Sequence, residues 1–153
     1  MTSVTYMTDL EGLTSDQLRG GFFAGWPNPP SPETHLRILG SCDYKAIAID
    51  DLGRVVGFAT AISDHVLTAY ITLLEVLPEM RGRGIGTTLI NRLIDAIGPI
   101  HRIDLLCDPE LSEFYRALGF DLSTGMYSRD YTMQTGRGWA RFCPASPAEK
   151  KSS

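Results

Sequence analysis

Residues 73–89 read Leu-Leu-Glu-Val-Leu-Pro-Glu-Met-Arg-Gly-Arg-Gly-Ile-Gly-Thr-Thr-Leu. An apolar run interrupted only by Glu75 stops at Pro78. Glycines follow at alternate positions 82, 84 and 86, and then a helix-periodic segment begins. The order is therefore strand, glycine-rich loop, helix. Glycines let successive backbone N–H groups turn toward one point and let an anion approach the chain. The helix that follows aims the positive end of its dipole at the same place. With Arg81 and Arg83 added, the segment has the makings of a pyrophosphate cradle. A Walker A loop would need Lys and then Ser or Thr after its last glycine, whereas Gly86 is followed by Thr87-Thr88 with no Lys. The dinucleotide fingerprint needs G-x-G-x-x-G, whereas this loop is G-x-G-x-G and follows a hairpin rather than opening the chain.

On the C-terminal side, Gly86 to Ile97 predicts a helix with Leu89, Ile90, Leu93, Ile94 and Ile97 on one face, stopped by Gly98-Pro99. Ile103 to Cys107 reads as a buried strand by composition. Asp108-Pro109-Glu110 opens a short helix that turns Leu111, Phe114, Tyr115 and Leu118 inward and closes at Gly119. Two more strands are expected at Phe120–Leu122 and Met126–Tyr131.

On the N-terminal side, Lys45–Asp50 and Val55–Ser63 form a hairpin about Asp51-Leu52-Gly53, and Ala69–Leu77 is the next and most apolar strand. Ser31 caps a helix that has Pro32 at its first position and ends near Gly40. Thr14 and Gln17 have capping-box spacing, with Leu13 and Leu18 at the staple positions, so a helix is expected from there to Gly20-Gly21. Val4–Asp9 supplies a first strand. The fold class is α/β, a single domain with a mixed, mostly antiparallel sheet flanked by helices.

Composition bounds the partners. The 153 residues carry 14 Lys and Arg against 18 Asp and Glu, net −4, and 43% are hydrophobic. That is one domain with a sizeable core and no broad basic surface, which argues against nucleic-acid or membrane partners. The charge is uneven. From Thr132 onward four bases meet one acid, leaving ten bases and seventeen acids, −7, in the body. Residues 1–134 are expected to form the domain and 135–153 a basic tail, loose beyond Pro144. Three separated cysteines, Cys42, Cys107 and Cys143, make neither a disulfide framework nor a zinc site, so no metal is expected. With neither a signal-like N-terminus nor a long apolar run, a cytoplasmic location is expected.

Arg81-x-x-Gly84-x-Gly86 matches the Arg/Gln-x-x-Gly-x-Gly/Ala motif, and Phe114-Tyr115-Arg116-Ala117-Leu118-Gly119-Phe120 matches an FY-x-x-LGF segment. On these two elements the chain resembles the GCN5-related N-acetyltransferase (GNAT) superfamily over residues 4–131. The resemblance implies acetyl-CoA as cosubstrate, with an amine or peptide acceptor. The backbone amides of Arg81, Gly82, Arg83, Gly84, Ile85, Gly86 and Thr87 would hold the pyrophosphate. The main chain of Leu74, Glu75 and Val76 would pair with the pantetheine arm where that strand and Ile103–Cys107 diverge. Tyr115 would serve the departing thiolate. Glu75, costly to bury unpaired in an apolar strand, is a candidate general base beside a salt-bridge or sheet-face role. The alternative function is a non-catalytic CoA-binding sensor on the same fold. The aromatic segment Phe22–Trp26 is expected to border an acceptor pocket, cap the core, or form a homodimer contact. Asp64 and His65, in the turn before the central strand, are exposed turn residues or acceptor-side groups.

Overall fold

A computed structural model describes residues 2–136. Five strands form one sheet in the order β1 (Val4–Met7), β2 (Tyr44–Asp50), β3 (Val55–Ser63), β4 (Thr68–Val76) and β5 (Arg102–Leu105). The first four pair antiparallel and β4 pairs parallel to β5, so the sheet is mixed and the expected fold class stands. The parallel step requires a crossover, which α2 (Ile85–Ile97) supplies. Leu89, Ile90 and Leu93 are fully buried against the sheet, each worth about 1.5–3 kcal/mol of apolar burial. On α2's side of the sheet, a Cβ on Gly57 would meet Leu89 at 3.0 Å and Ile85 at 3.3 Å, so glycine lets the helix sit this close without its neighbours shifting.

The opposite face is covered by α1 (Pro32–Ser41) and the chain before it. Ser31 caps α1 as its sequence foretells, its Oγ accepting from the Thr34 N–H at 3.1 Å. Upstream, the Thr14–Gln17 signal forms with the Gln17 side-chain oxygen on the Thr14 N–H at 2.9 Å, but it launches a single 3₁₀ turn, Ser15–Leu18, and not a full helix. Gly20 packs against the end of the Leu77 side chain, and Gly21 takes φ +95°, which ends any helical path. Phe22 and Phe23 are buried and cap the core, while Trp26 is 36% exposed.

Three further expectations fail at the C-terminal side. Ile103–Cys107 is not a buried strand. Only Arg102–Leu105 is extended, Arg102 and Asp104 are exposed and ion-paired at 2.7 Å, and Cys107 is exposed. The reason is position: β5 is the edge of the sheet. Leu111 is 45% exposed because Pro109–Leu111 is a 3₁₀ turn whose rotation differs from that of the helix α3 (Ser112–Ala117) that follows. The strands at Phe120–Leu122 and Met126–Tyr131 do not form. Residues 120–130 carry no ladder, Met126 is 92% exposed, and the next element is a 3₁₀ turn, Tyr131–Met133. A strand needs a partner along its length. Residues 120–130 pair with no strand among the described residues, although Gly125 lies against Leu106 just past the end of β5. The basic tail falls almost wholly outside the described residues.

Candidate functional site

β4 is nine residues long, yet its ladder with β5 covers only Thr68–Ile71 against Arg102–Leu105. Beyond Ile71 the two strands part, and the β5-facing side of residues 72–76 has no strand partner among the described residues. The cause is visible at Thr72. The register with β3 slips between Thr60 and Ala61, leaving Thr72 as an extra residue, a bulge that bends the strand. Thr72 is fixed there by its hydroxyl, which donates to the Thr60 carbonyl at 3.2 Å and meets the Thr60 hydroxyl at 2.7 Å. Leu74, Glu75 and Val76 are therefore held on one side by Ala59, Phe58 and Gly57 and left open on the other.

The glycine loop starts where β4 ends. Gly82 and Gly84 take φ +74° and +78°, left-handed backbone that bulky residues resist. Gly84 is the N-cap of α2, and its carbonyl accepts from both the N–H and the hydroxyl of Thr88 at 3.0 Å. Nothing lies within 4 Å of where a Gly84 Cβ would be, whereas Gly86 faces Phe114 of α3 at 3.5 Å and Val76 at 3.8 Å. Residues 81–84 are exposed. The end of β4, the N-terminus of α2 and α3 thus converge on the loop. Arg81 turns back, its Nε donating to the Val76 carbonyl at 3.1 Å.

Glu75 and Val76 point to opposite faces, as successive strand residues must. Val76 faces α2, and Glu75, paired with Phe58, faces α1. The Glu75 Oε2 accepts the Phe23 N–H at 2.9 Å. Burial raises the Glu75 pKa, against the opposing pull of that hydrogen bond and of the Arg81 charge. Phe23 itself sits at φ +63°, a conformation that costs a non-glycine residue about 1–2 kcal/mol. The carboxylate therefore anchors a strained segment. Sequence reasoning could not find this contact, since it joins residues 52 apart.

Tyr115, 7% exposed, projects from α3 between Phe114 and Phe120, with ring centroids 4.9 and 5.8 Å away. Burial first, and the neighbouring Cys107 second, push its phenol up to about 12. It is thus a protonated donor at neutral pH, placed by Cys107 just past the end of β5. Asp64 and His65 lie at the other end of β4. Asp64 accepts the N–H groups of Val66, Leu67 and Thr68, which lowers its pKa to about 2, and His65 bonds Asp43 at 3.0 Å and Tyr44 at 3.2 Å. These are turn-forming contacts, remote from the glycine loop. Among the described residues no group of three or more His, Cys, Asp or Glu is placed to hold a metal ion, and no helix is long and apolar enough to cross a membrane.

The pattern of the Acetyltransferase (GNAT) family matches residues 13–120. The crystal structure of a "putative acetyltransferase" from Deinococcus radiodurans R1 superposes with a TM-score of 0.84 at 41% identity, covering 88% of this chain and 97% of that one. An "uncharacterized N-acetyltransferase", ycf52 of Porphyra purpurea, is 37% identical over 100 residues, 63% of this chain and 58% of its own. Histone acetyltransferase TAP1 of Glycine max is 41% identical over 70 residues, but those are 44% of this chain and only 30% of the soybean protein.

Proposed function

The chain belongs to the acetyltransferase (GNAT) family, and from that premise we propose that it is an acyl-CoA-dependent N-acyltransferase. It moves acetyl from acetyl-CoA to a primary amine by direct attack in a ternary complex. The observation that carries this is the unpartnered stretch 72–76 of β4 running straight into left-handed Gly82 and Gly84 at the N-terminus of α2. A linear acyl-pantetheine needs main-chain partners on a strand edge, and a diphosphate needs clustered N–H groups with open space before them. Both features adjoin, in that order.

Arg81, Gly82, Arg83, Gly84, Ile85, Gly86 and Thr87 offer the amides for the diphosphate. The open space at Gly84 suits a bulky anion better than a side chain would. Leu74, Glu75 and Val76 offer main-chain groups to the pantetheine arm, with the N–H near Val76 as the donor to a developing oxyanion. Acetyl-CoA supplies the activated thioester; the chain's own groups manage the protons.

An amine attacks only when neutral, so its proton must leave first. Glu75 is the base for this step, directly or through water, because a carboxylate made more basic by burial takes a proton more readily near neutral pH. Tyr115 donates a hydrogen bond to the leaving sulfur. Against a thiol pKa of about 8.5, a phenol near 12 shares its proton more than it surrenders it. Residues 1–134 form the transferase domain in this reading, with location in the cytoplasm.

Spectroscopic titration with acetyl-CoA, ATP and NAD, followed by thiol release over a panel of amines, tests it. Saturable binding of acetyl-CoA alone with thiol release from at least one amine is expected. Binding without release from any amine leaves a CoA-binding protein, and preference for ATP or NAD overturns the cradle.

A further inference from the structure

Arg81 is turned back onto β4 by the chain reversal that ends the strand. Pro78–Met80 is a single 3₁₀ turn pinned by Met80, 3% exposed, and the Arg81 N–H closes it on the Pro78 carbonyl at 3.3 Å. The side chain then reaches Val76, where its Nε donates to the carbonyl at 3.1 Å. Which way that carbonyl points follows from the ladder. The Leu77 N–H bonds the Val56 carbonyl at 2.9 Å, so the main-chain groups of Leu77 turn toward β3. Successive strand residues turn theirs to opposite sides, so Glu75 also serves β3 while Leu74 and Val76 face the open side. The groups open to a pantetheine arm narrow to those of Leu74 and Val76. The Val76 carbonyl is the last of them before the glycine loop, and Arg81 already holds it.

The partner is a neutral one, and that sets Arg81 apart. Arg19, Arg54, Arg102 and Arg116 each meet a carboxylate. Arg81 is exposed and forms no ion pair among the described residues; its charge acts on Glu75 from beyond ion-pair distance. A guanidinium is donor-only, and so is the N–H of an amide. On the Val76 carbonyl the Arg81 Nε–H therefore takes the place that a strand-like ligand amide would take, and its positive charge stays available to an anion.

We propose that Arg81 is a placeholder for the pantetheine arm: an amide N–H of the arm displaces the guanidinium from the Val76 carbonyl, and the released guanidinium pairs with the diphosphate. This rests on the acyl-CoA reading and adds to it a residue that couples the two halves of the cosubstrate. One donor replaces another at the same oxygen, so the carbonyl keeps a partner throughout. The arm frees the cation that the diphosphate then uses, and the two halves bind cooperatively.

S-acetylpantetheine has the arm and the thioester but no diphosphate. Calorimetry with it and with acetyl-CoA, on the full wild-type chain and on Arg81→Met, separates the two halves; Met keeps an unbranched apolar stem. The variant should bind S-acetylpantetheine at least about threefold more tightly than wild type, the scale of one net hydrogen bond that no longer has to be displaced. Its preference for acetyl-CoA over S-acetylpantetheine should fall at least about tenfold, that gain multiplied by a comparable loss at the diphosphate. In wild type with labelled arginine nitrogens, the Arg81 Nε–H signal should move as S-acetylpantetheine binds, a readout that needs no variant. The placeholder role is overturned if the variant binds S-acetylpantetheine no better than wild type, if its preference for acetyl-CoA is unchanged, or if the Arg81 signal stays still while the ligand binds. It falls too if acetyl-CoA binds wild type while S-acetylpantetheine binds neither chain, and in all these cases the transferase reading stands. Only a wild-type chain that does not bind acetyl-CoA at all defeats both.

Discussion

Glu75 has two separable roles, and two substitutions at this one position separate them. Its Oε2 accepts the N–H of Phe23, a residue only 2% exposed, at 2.9 Å. Gln keeps an oxygen that can accept the same N–H; Ala does not. A buried N–H left unpaired costs about 1–3 kcal/mol. Part of this is recovered if Phe23, released from φ +63°, relaxes and sheds strain of about 1–2 kcal/mol. A net loss of about 1–2 kcal/mol is therefore expected for Glu75→Ala, a fall in Tm of about 2–8 °C for a chain of this length. The charge acts the other way. Burial raises the folded pKa above the unfolded value near 4.3, so the protonated carboxyl is the better-tolerated form. That contribution is complete below the unfolded pKa and is lost as pH rises through the folded one. Glu75→Gln should thus equal or exceed wild type in stability at pH 7 and lose this advantage as pH falls toward 4. Thermal melts followed by circular dichroism at pH 4.5 and 7 read both effects. If Gln is as destabilising as Ala, the Phe23 contact does not hold the segment. If the gap between Gln and wild type is independent of pH, burial is not what raises the pKa.

Catalytic use of the same residue predicts that Glu75→Gln removes the acidic limb of the pH–rate profile, and an unchanged limb excludes it as the base. Tyr115→Phe should slow turnover by about 10- to 100-fold with CoA affinity intact, because only the leaving sulfur uses the hydroxyl; stopped-flow binding beside steady-state rates checks this, and unaltered turnover removes Tyr115 from the reaction. Gly84→Val should weaken acetyl-CoA at least about tenfold by calorimetry, since it fills open space in the loop, on top of a backbone penalty of about 1–2 kcal/mol. Gly53→Val is the control: it has the same φ of +78°, in the β2–β3 turn, and should lower stability alone. Asp50, 5% exposed, accepts from Leu52 N–H, Arg54 N–H and the Arg54 guanidinium at 2.8–3.0 Å. Burial alone would raise its pKa, but these bonds outweigh it and lower it. The stability they bring exists above the usual Asp range and fades as pH drops through the lowered pKa. Acid unfolding of Asp50→Asn should accordingly be flatter than that of wild type, and coincident curves would refute the link.

The sequence alone determined the features whose causes are local. Alternate glycines after an apolar strand specify the loop, because only residues without a Cβ take φ near +75° at Gly82 and Gly84 so readily. Ser31 before Pro32 starts α1, the 3.6-residue periodicity of Leu89, Ile90 and Leu93 buries α2, and Asp51-Leu52-Gly53 turns the hairpin. Tertiary structure decided whatever depends on a distant partner. Strand propensity in Met126–Tyr131 and Ile103–Cys107 was real, but a ladder requires a neighbour in register, and β5 offers only four residues at the edge of the sheet. The bulge at Thr72 arises from pairing with Thr60, and it opens β4 away from β5 where the site needs room. Glu75 was legible as a carboxylate in an apolar strand; its hold on Phe23 was not. His35 carries no signal of its own in the sequence; Phe22 and Phe23 from the segment before α1 and Phe58 from β3 close around it and leave its Nε2 with no partner among the described residues.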